Sequence, residues 1–388
     1  MVLTASILGF CLSVLLTLWP PTAWAEVPFY TITALGPQGV HAISSEGNVA
    51  VGWLGFRSGD HGAQEFSPTF HALGTLGGTN NEAHAATSTR IVGFATRSDN
   101  VYNHAFLYEN GIMTDLEMRG TTRLFSAALA LNADDVCGSI ASFDATTAVP
   151  ACWLNDVFVE YPTLGGSSGE VTTLNEKGNA AGYSLTPEGD WHCTYWPVEG
   201  GAVDCHSAVA GANSFARDMN SQNLIVGNTV TLSNVTGVPG VHRGFLVLPW
   251  GMVLLAPVAD MERSRAYSIN DLGLIVGESS SGDGGGCCEG LEQAATIWDT
   301  GAPIDLQTRL VNPDGWKLIR AWGISNDLLI AAEADRNGER HSVLLTPVDN
   351  AVVVWYKWKY LIERYYAQKY DRWRKIIAQY YYPRKPAR

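Results

Sequence analysis

The segment Ala266-Tyr-Ser-Ile-Asn-Asp-Leu-Gly-Leu-Ile-Val-Gly277 decides the fold, because the chain repeats it. A near copy, Ala216-Arg-Asp-Met-Asn-Ser-Gln-Asn-Leu-Ile-Val-Gly227, lies one unit earlier. The pattern Ala-x-x-Ile-Asn-x-x-Gly-x-Val-Val-Gly recurs, with spacings of 41, 45, 44, 45, 50 and 55 residues between anchors, so the chain holds seven units. The five other anchors are Gly52, Gly93, Gly138, Gly182 and, in degenerate form, Ala332.

Each unit reads as four short strands separated by turns. A first strand such as Arg265 to Ile269 runs into Asn-x-x-Gly, where Asn bonds its own backbone and Gly accepts positive φ. A second strand follows, and the third is His104-Ala-Phe-Leu-Tyr108, which the turn Glu109-Asn-Gly111 joins to a fourth, Met113 to Leu116. Four strands in 40 to 50 residues are typical of a propeller blade. The sequence therefore predicts an all-β, seven-bladed β-propeller.

The ends of the repeat array predict how the ring closes. The seventh unit stops after its third strand, at Leu345, whereas Tyr30 to Leu35, ahead of the first unit, resembles a fourth strand. We therefore expect Tyr30 to Leu35 to pair beside Arg340 to Leu345 and to remove both exposed edges. The first unit lacks a clear third strand.

Composition limits the class of protein. The 388 residues are 46% hydrophobic and 16% charged, with 40 glycines and a net charge of −13. This chain is folded rather than disordered, and the glycines favour turns and strands over helices. The acidic balance argues against non-specific nucleic-acid binding, so no nucleic-acid partner is expected.

The N-terminus predicts export. Residues Ala5 to Trp19 are apolar but short for a membrane span, and Ala23-Trp-Ala25 offers a small-x-small cleavage site. We therefore assign 1–25 to a signal peptide, 26–347 to the propeller and 348–388 to a tail. An uncleaved anchor is the alternative, and bulky Phe10 before Cys11 argues against a lipid anchor.

The last 38 residues form a basic, aromatic segment. Ala351 to Arg388 carry ten Lys or Arg and two Asp or Glu, a net charge of +8, whereas the rest of the chain carries −21. Aromatic and apolar residues recur at spacings of three, four and seven, which predicts an amphipathic helix. We expect it to contact an anionic membrane surface or, alternatively, a partner protein or its own propeller. The predicted contact residues are Trp355, Lys357, Trp358, Lys359, Arg364, Tyr365, Tyr366, Arg372, Trp373, Arg374 and Lys375.

Six cysteines follow the predicted cleavage site, an even number that favours disulfides in an exported chain. Cys137 and Cys152 fall on neighbouring strands of one unit, and Cys193 and Cys205 flank a hairpin in the next, so we predict the pairs Cys137–Cys152 and Cys193–Cys205. Buried free thiols are the alternative. A bond between the adjacent Cys287 and Cys288 would be strained.

These units resemble the HAF-repeat family of extracellular bacterial repeat proteins. The resemblance covers about residues 29 to 346 and rests on the triplet His104-Ala-Phe106, on Gly74-Thr-Leu-Gly-Gly78, on Thr163-Leu-Gly-Gly166 and on residues 269 to 277. It implies an exported repeat protein and supplies no catalytic residues.

Several repeated side chains are expected to serve packing rather than a functional site. His104, His192 and His341 occupy equivalent third-strand positions, and bonding across strands is favoured over metal binding. Trp153, Trp196 and Trp298 are expected to pack between blades. Asp283, within a glycine-rich stretch, fits a flexible loop better than a calcium site. The better candidates for exposed contacts are Trp53, Trp191, Trp250, Trp316 and Trp322.

No phosphate loop or dinucleotide fingerprint appears, and no catalytic residue, metal ligand or cofactor is predicted. Three functions compete. The chain is a binding scaffold for an unknown protein or polysaccharide, a structural envelope protein anchored by its tail, or a propeller glycosidase or lyase acting on a polysaccharide. Its expected location is periplasmic or extracellular.

Overall fold

The computed structural model divides the chain into two compact units, Tyr30–Thr346 and Met1–Phe29 with Pro347–Arg388. It describes residues 27–36, 39–45, 47, 49–53, 64–66, 70–116, 125–141, 147–207, 211, 213–231, 240–281, 292–299, 301–359 and 361. The predicted signal peptide, Asp283 and the Cys287-Cys288 pair lie outside these residues.

The strands pair into seven four-stranded sheets. Sheet 1 consists of β2 (Gly39–Ile43), β3 (Ala50–Trp53), β4 (Gln64–Phe66) and β5 (Phe70–Ala72). Sheet 2 consists of β6 (Gly77–Ala86), β7 (Arg90–Arg97), β8 (Asn103–Glu109) and β9 (Ile112–Asp115). Sheet 3 consists of β10 (Phe125–Leu131), β11 (Val136–Ala141), β12 (Ala148–Leu154) and β13 (Val157–Glu160).

The remaining sheets follow the same order along the chain. Sheet 4 consists of β14 (Gly169–Leu174), β15 (Ala180–Leu185), β16 (Trp191–Trp196) and β17 (Val203–Asp204), and sheet 5 consists of β18 (Ser214–Met219), β19 (Ile225–Val230), β20 (His242–Leu248) and β21 (Gly251–Leu255). Sheet 6 consists of β22 (Arg263–Ile269), β23 (Ile275–Ser280), β24 (Gln293–Asp299) and β25 (Ala302–Asp305). Sheet 7 consists of β26 (Lys317–Ile324), β27 (Ile330–Arg336), β28 (Glu339–Pro347) and β1 (Tyr30–Gly36). A 3₁₀-helix, Leu306–Arg309, precedes β26.

The sheets form a closed ring, which confirms the predicted all-β propeller. Each sheet contacts the next in sequence, and the strands of sheet 7 contact β2 of sheet 1. The predicted closure is also confirmed, because β1 lies beside β28 at the outer edge of sheet 7. The Thr31 hydroxyl donates a hydrogen bond to the carbonyl of Thr346 across this pair.

The prediction of a seven-bladed propeller is wrong in its blade count. Six sheets are full blades, whereas sheet 1 is rudimentary, because its two outer strands, β4 and β5, have only three residues each. The physical reason lies in the sequence. Gln64-Glu-Phe66 lacks the apolar alternation of a third strand such as His104 to Tyr108.

The terminal glycine of the repeat allows two strands to approach closely. A Cβ at Gly277 would overlap the carbonyl oxygen of Arg265 on the facing strand, and a Cβ at Gly138 would overlap that of Ala127. The strand that faces each glycine carries a β-bulge, for example between Ala266 and Ser268. Equivalent close approaches occur at Gly52, Gly93, Gly182 and Gly227.

Apolar clusters fill the spaces between sheets. Trp153 of sheet 3 packs with Val92 and Leu107 of sheet 2, and its indole N–H donates to the Leu116 carbonyl at 3.2 Å. Trp196 and Trp298 are likewise buried, and their indoles donate to the carbonyls of Pro162 and Ala256 at 2.7 Å. The expectation that these tryptophans pack between blades is confirmed.

The repeat asparagines join successive sheets. Each buried side chain accepts hydrogen bonds from its own turn, as Asn270 Oδ1 does from the amides of Leu272 and Leu274. Its amide nitrogen donates to the carbonyl of the equivalent residue in the next sheet. The bonds run from Asn132 to Asn175 at 3.0 Å, from Asn175 to Asn220 at 3.1 Å, from Asn220 to Asn270 at 3.1 Å and from Asn270 to Ser325 at 3.0 Å.

Other groups join the sheets where the repeat is degenerate. The guanidinium of Arg90 in sheet 2 donates to the carbonyls of Asn132 and Ala133 at 3.1 and 2.7 Å. Between sheets 7 and 1, the backbone N–H of Asn326 donates to the Ser45 carbonyl at 2.8 Å. Hydrogen bonds at the turns therefore continue across the closing junction.

The two predicted disulfides are confirmed. Cys137 and Cys152 are directly opposite on β11 and β12 and are bonded. Cys193 on β16 is bonded to Cys205, whose backbone N–H also donates to the Cys193 carbonyl at 2.9 Å. Each disulfide joins neighbouring segments of one sheet.

The second unit contains a helix over residues 350–359 and 361. Asp349 caps its N-terminus, because its carboxylate accepts a hydrogen bond from the Ala351 N–H at 2.8 Å. A helix at the start of the tail was predicted. Among the residues the structure describes, no helix is long and apolar enough to cross a membrane.

We predict that Asn175→Ala and Asn220→Ala each lower the free energy of unfolding by about 1–3 kcal/mol. Each substitution removes the acceptor of two partly buried turn amides and the side-chain donor to a buried carbonyl of the next sheet. Urea unfolding followed by circular dichroism measures the change. Asn312→Ala, in an exposed loop, is the matched control and should be neutral. Equal stability in all three variants would show that the inter-sheet bonds do not stabilise the ring.

Deletion of residues 29–36 removes β1 and exposes the edge of β28. We expect a lower melting temperature and concentration-dependent aggregation, because an unpaired edge strand offers free N–H and C=O groups to other chains. Differential scanning fluorimetry and light scattering measure both properties. Unchanged melting and solubility would contradict the role of β1 in closure.

Candidate functional site

Seven side chains, one from each sheet, surround the centre of the propeller. Each occupies the bulge of its inner strand, as Tyr267 does between Ala266 and Ser268 and Leu129 does between Ala128 and Ala130. The residues on either side of the bulge face neighbouring sheets: Ala128 packs toward sheet 2 and Ala130 toward sheet 4. The bulge residue faces the central channel instead. We call this set the channel ring: His41, His84, Leu129, Thr172, Arg217, Tyr267 and Trp322.

The channel ring separates two cavities. One, of about 580 Å³, lies on the side of the Asn-x-x-Gly turns and is lined by residues such as Asn175, Asp218 and Asn270. The other, of about 700 Å³, lies toward the opposite ends of the inner strands and includes Glu170 and Arg265. All seven ring residues border both cavities. A ligand entering from either side therefore meets the same ring.

Aromatic rings line one half of the channel without interruption. Tyr267 and Trp322 lie 4.7 Å apart between ring centroids at an interplanar angle of 31°, and His41 lies 6.0 Å from Trp322. His84 continues the row at 5.6 Å from His41. These four residues, which we call the aromatic arc, come from four successive sheets: 6, 7, 1 and 2.

A charge network lies behind the aromatic arc. Glu278, which is only 1% exposed, contacts the guanidinium groups of Arg265 at 3.0 Å and Arg320 at 3.3 Å. Arg320 also pairs with Glu333 at 3.3 Å and lies 5.3 Å from the centroid of the Trp322 ring. Burial, with the Glu278 charge adding to it, raises the pKa of the Tyr267 hydroxyl, which stays protonated. Glu278 also hydrogen-bonds the Tyr267 side chain, so the network contacts both Tyr267 and Trp322.

The opposite half of the channel is mixed, with Leu129, Thr172 and Arg217. The Thr172 hydroxyl donates to the Ala216 carbonyl of the next sheet at 3.0 Å. Beside Arg217, half-buried Asp218 accepts hydrogen bonds from the Ser268 hydroxyl at 2.7 Å and from the Ile269 N–H at 2.9 Å. Burial raises the pKa of the Asp218 carboxyl, and these donors oppose the rise. The channel thus presents polar groups facing an aromatic half.

Two histidines of the arc meet a carboxylate. Oε1 of Glu82 lies 3.1 Å from Nδ1 of His41 and 4.0 Å from Nε2 of His84, and the three atoms all lie within 4.8 Å of one another. Burial lowers the pKa of His41 to about 4 and that of His84 to about 3, and raises the pKa of Glu82. Both imidazoles are therefore neutral at pH 7. These three residues could hold a metal ion.

The repeated third-strand histidines lie away from the channel. Nδ1 of His104 is 3.3 Å from the Asp115 carboxylate on the neighbouring strand, and Nδ1 of His192 is 2.9 Å from that of Asp204. The expectation that these two bond across strands is confirmed. His341 instead packs edge-on against Trp316, at 5.3 Å between centroids.

The tryptophans predicted to make exposed contacts differ in environment. Trp250 is 81% exposed, and Trp322 lies in the channel ring. Trp191 is half-buried beside Tyr183, at 5.5 Å between centroids. The prediction for Trp316 is wrong: it is 8% exposed, because the His341 ring and the Arg336 guanidinium, 5.0 Å from its centroid, cover it. The side chain of Trp53 lies outside the described residues.

Four predicted tail contacts lie in the described part of the helix. Lys359 lies 5.4 Å from the centroid of the Trp355 ring, Lys357 is exposed and Trp358 is 44% exposed. The other predicted contacts fall outside the described residues: Arg364, Tyr365, Tyr366, Arg372, Trp373, Arg374 and Lys375.

Sequence reasoning missed the channel ring except for Trp322. The signal was present in the repeat, since the second position of the pattern is Leu129, Thr172, Arg217 or Tyr267 in units whose other positions largely agree. A variable column inside a regular repeat marks a position that packing does not restrict. His41 and Glu82 belong to different sheets, so no local spacing could have paired them.

No family model matches the chain, and no curated protein matches it. Among solved structures, the chain is similar to the β-propeller domain of the trilobed protease from Pyrococcus furiosus, at 8% identity and a TM-score of 0.46, covering 85% of this chain and 99% of that one. A post-proline cleaving enzyme from Rickettsia typhi matches at 10% identity and 0.44, covering 79% and 50%. TolB from Acinetobacter baumannii matches at 10% and 0.37, covering 68% and 64%. These similarities carry no argument about function.

Proposed function

We propose that this protein is an exported, non-enzymatic binding propeller that holds a carbohydrate in its central channel. The observation that carries the proposal is the aromatic arc facing the polar side chains Thr172 and Arg217. Binding sites for small molecules combine aromatic surface with a few placed polar groups. A sugar offers both an apolar C–H face for the arc and hydroxyls for the polar half.

The construction of the site supports binding by a scaffold. The repeat supplies a similar backbone in each sheet, while the seven positions of the channel ring carry six different residue types. The buried Glu278 network contacts Tyr267 and Trp322 before any ligand enters. Such preorganisation reduces the entropy lost on binding.

Export is the second part of the proposal. The disulfides Cys137–Cys152 and Cys193–Cys205 support folding in an oxidising compartment. The apolar N-terminal segment and the repeat motifs that resemble the HAF family point in the same direction. Membership of that family is likewise our proposal.

Binding of neutral and acidic polysaccharides to the full-length oxidised protein tests the channel. We expect at least one glycan to bind and Trp322→Ala to weaken its affinity at least about 10-fold, close to 1.4 kcal/mol. Isothermal titration calorimetry measures the affinity after an array screen. Trp250→Ala, which removes an exposed tryptophan from a hairpin turn, is the matched control and should bind as the wild type does.

Three outcomes would contradict this proposal. No bound glycan in the panel would reject the carbohydrate, and loss of binding in Trp250→Ala alone would place the site on the outer surface. Release of new reducing ends from a bound polysaccharide would favour the glycosidase or lyase alternative over a scaffold.

A peripheral membrane contact through the tail is a second proposed function. Val354, Trp358 and Leu361 are 65%, 44% and 60% exposed, and their spacing of four and three residues places them on one face of the helix. Exposed Lys357 lies in the same segment. An apolar stripe with neighbouring cations suits the headgroup region of an anionic bilayer.

Co-sedimentation of the full-length protein with phosphatidylglycerol vesicles tests the tail. We expect binding at low salt, a reduction in Trp358→Ala and Leu361→Ala, and loss on deletion of residues 351–388. Val157→Ala, which removes an exposed apolar residue from sheet 3, is the control. Equal sedimentation of all variants, or binding by none, would contradict the membrane contact.

A further inference from the structure

Three side chains with metal-ligand chemistry meet at the junction of sheets 1 and 2. His41 comes from β2, whereas Glu82 and His84 come from β6, so assembly of the ring brings them together. In the described part of the chain, this is the one group of three or more His, Cys, Asp or Glu side chains close enough to hold a metal ion. Two of the three, His41 and His84, border the channel.

We propose that His41, Glu82 and His84 bind one divalent transition-metal ion, with Zn²⁺ as the ion that fits best. Two imidazoles and one carboxylate form a ligand set that zinc uses in proteins, and imidazole also suits the other late first-row metals. The proposal rests on this cluster alone and stands whether or not the channel binds a carbohydrate.

The distances require only small side-chain rotations. Ligand atoms around a tetrahedral zinc ion lie about 3.4 Å apart, given bonds of about 2.1 Å. His41 Nδ1 already lies 3.1 Å from Glu82 Oε1, and His84 Nε2 lies 4.0 Å from the same oxygen. Phe94, whose ring centroid is 5.5 Å from that of His84, restricts the imidazole from one side.

Coordination would fix the tautomer of each histidine. A histidine binds zinc as the neutral imidazole, through the ring nitrogen that carries the lone pair. Coordination through Nδ1 of His41 places its proton on Nε2, and coordination through Nε2 of His84 places its proton on Nδ1.

The open coordination positions of a bound ion would be reached from the channel, because His41 and His84 border it. Three protein ligands leave at least one position of a zinc ion for water or another exchangeable group, unlike a closed structural site. His41 is also 6.0 Å from Trp322, so an exchangeable group would lie beside the aromatic arc. The metal ion and the rings of Tyr267 and Trp322 would then contact the same channel ligand.

Zinc titration of the chelator-treated, full-length oxidised protein tests the site. We expect one equivalent to bind in calorimetry with a competing chelator, and His84→Gln and Glu82→Gln each to weaken affinity by at least about 100-fold. His341→Gln removes a histidine outside the channel and should bind zinc as the wild type does. Circular dichroism melting shows whether each variant is folded.

X-ray absorption of the zinc-loaded wild type keeps the test independent of variant folding. We expect two imidazole ligands and oxygen for the rest of the shell. Absence of binding by the wild type, equal affinity in His84→Gln and His341→Gln, or sulfur in the first shell would each overturn the proposal. Normal zinc binding in Trp322→Ala together with failure of all glycans would reject the carbohydrate alone.

Discussion

The hydrogen bond from one repeat asparagine to the next sheet is the interaction on which the propeller depends. Each side chain both closes its own turn and donates to the carbonyl at the same position one sheet further on, as Asn220 does to Asn270 at 3.1 Å. Local structure and assembly therefore use the same residue. If the distance between two sheets changed, the buried side-chain N–H of the asparagine would lose its acceptor. That loss costs free energy, so the hydrogen bond favours one spacing of the sheets.

The same unit explains how a channel surface arises in a molecule whose sheets are packed on both sides. A regular strand has two faces, and in this ring both faces contact neighbouring sheets. The close approach at the repeat glycine accompanies a bulge, and the bulge provides a side chain that belongs to neither face. Tyr267, Arg217 and Leu129 occupy such positions. The site is therefore a consequence of the bulge, which sheet 7 keeps although Ala332 replaces the glycine.

Much of the fold could be predicted from the sequence because it follows from local periodicity. The strand patterns, the Asn-Gly turn at Asn110 and the closure by Tyr30–Gly36 depend on residues close in sequence or on a simple count of strands. The disulfide Cys137–Cys152 followed from strand pairing for the same reason. The aromatic arc and the His41–Glu82 contact could not be predicted, because they depend on which bulge positions become neighbours once the ring closes.

Placing the channel side chains at bulges separates two kinds of sequence change. Substitutions at Ala128 or Ala130 alter the packing between sheets, whereas those at Leu129 alter the channel surface and leave that packing in place. Selection on stability and selection on the channel surface therefore act on different codons of one repeat. Duplication of a unit adds one more independently variable channel position, so the channel surface of such a ring can diverge faster than its architecture.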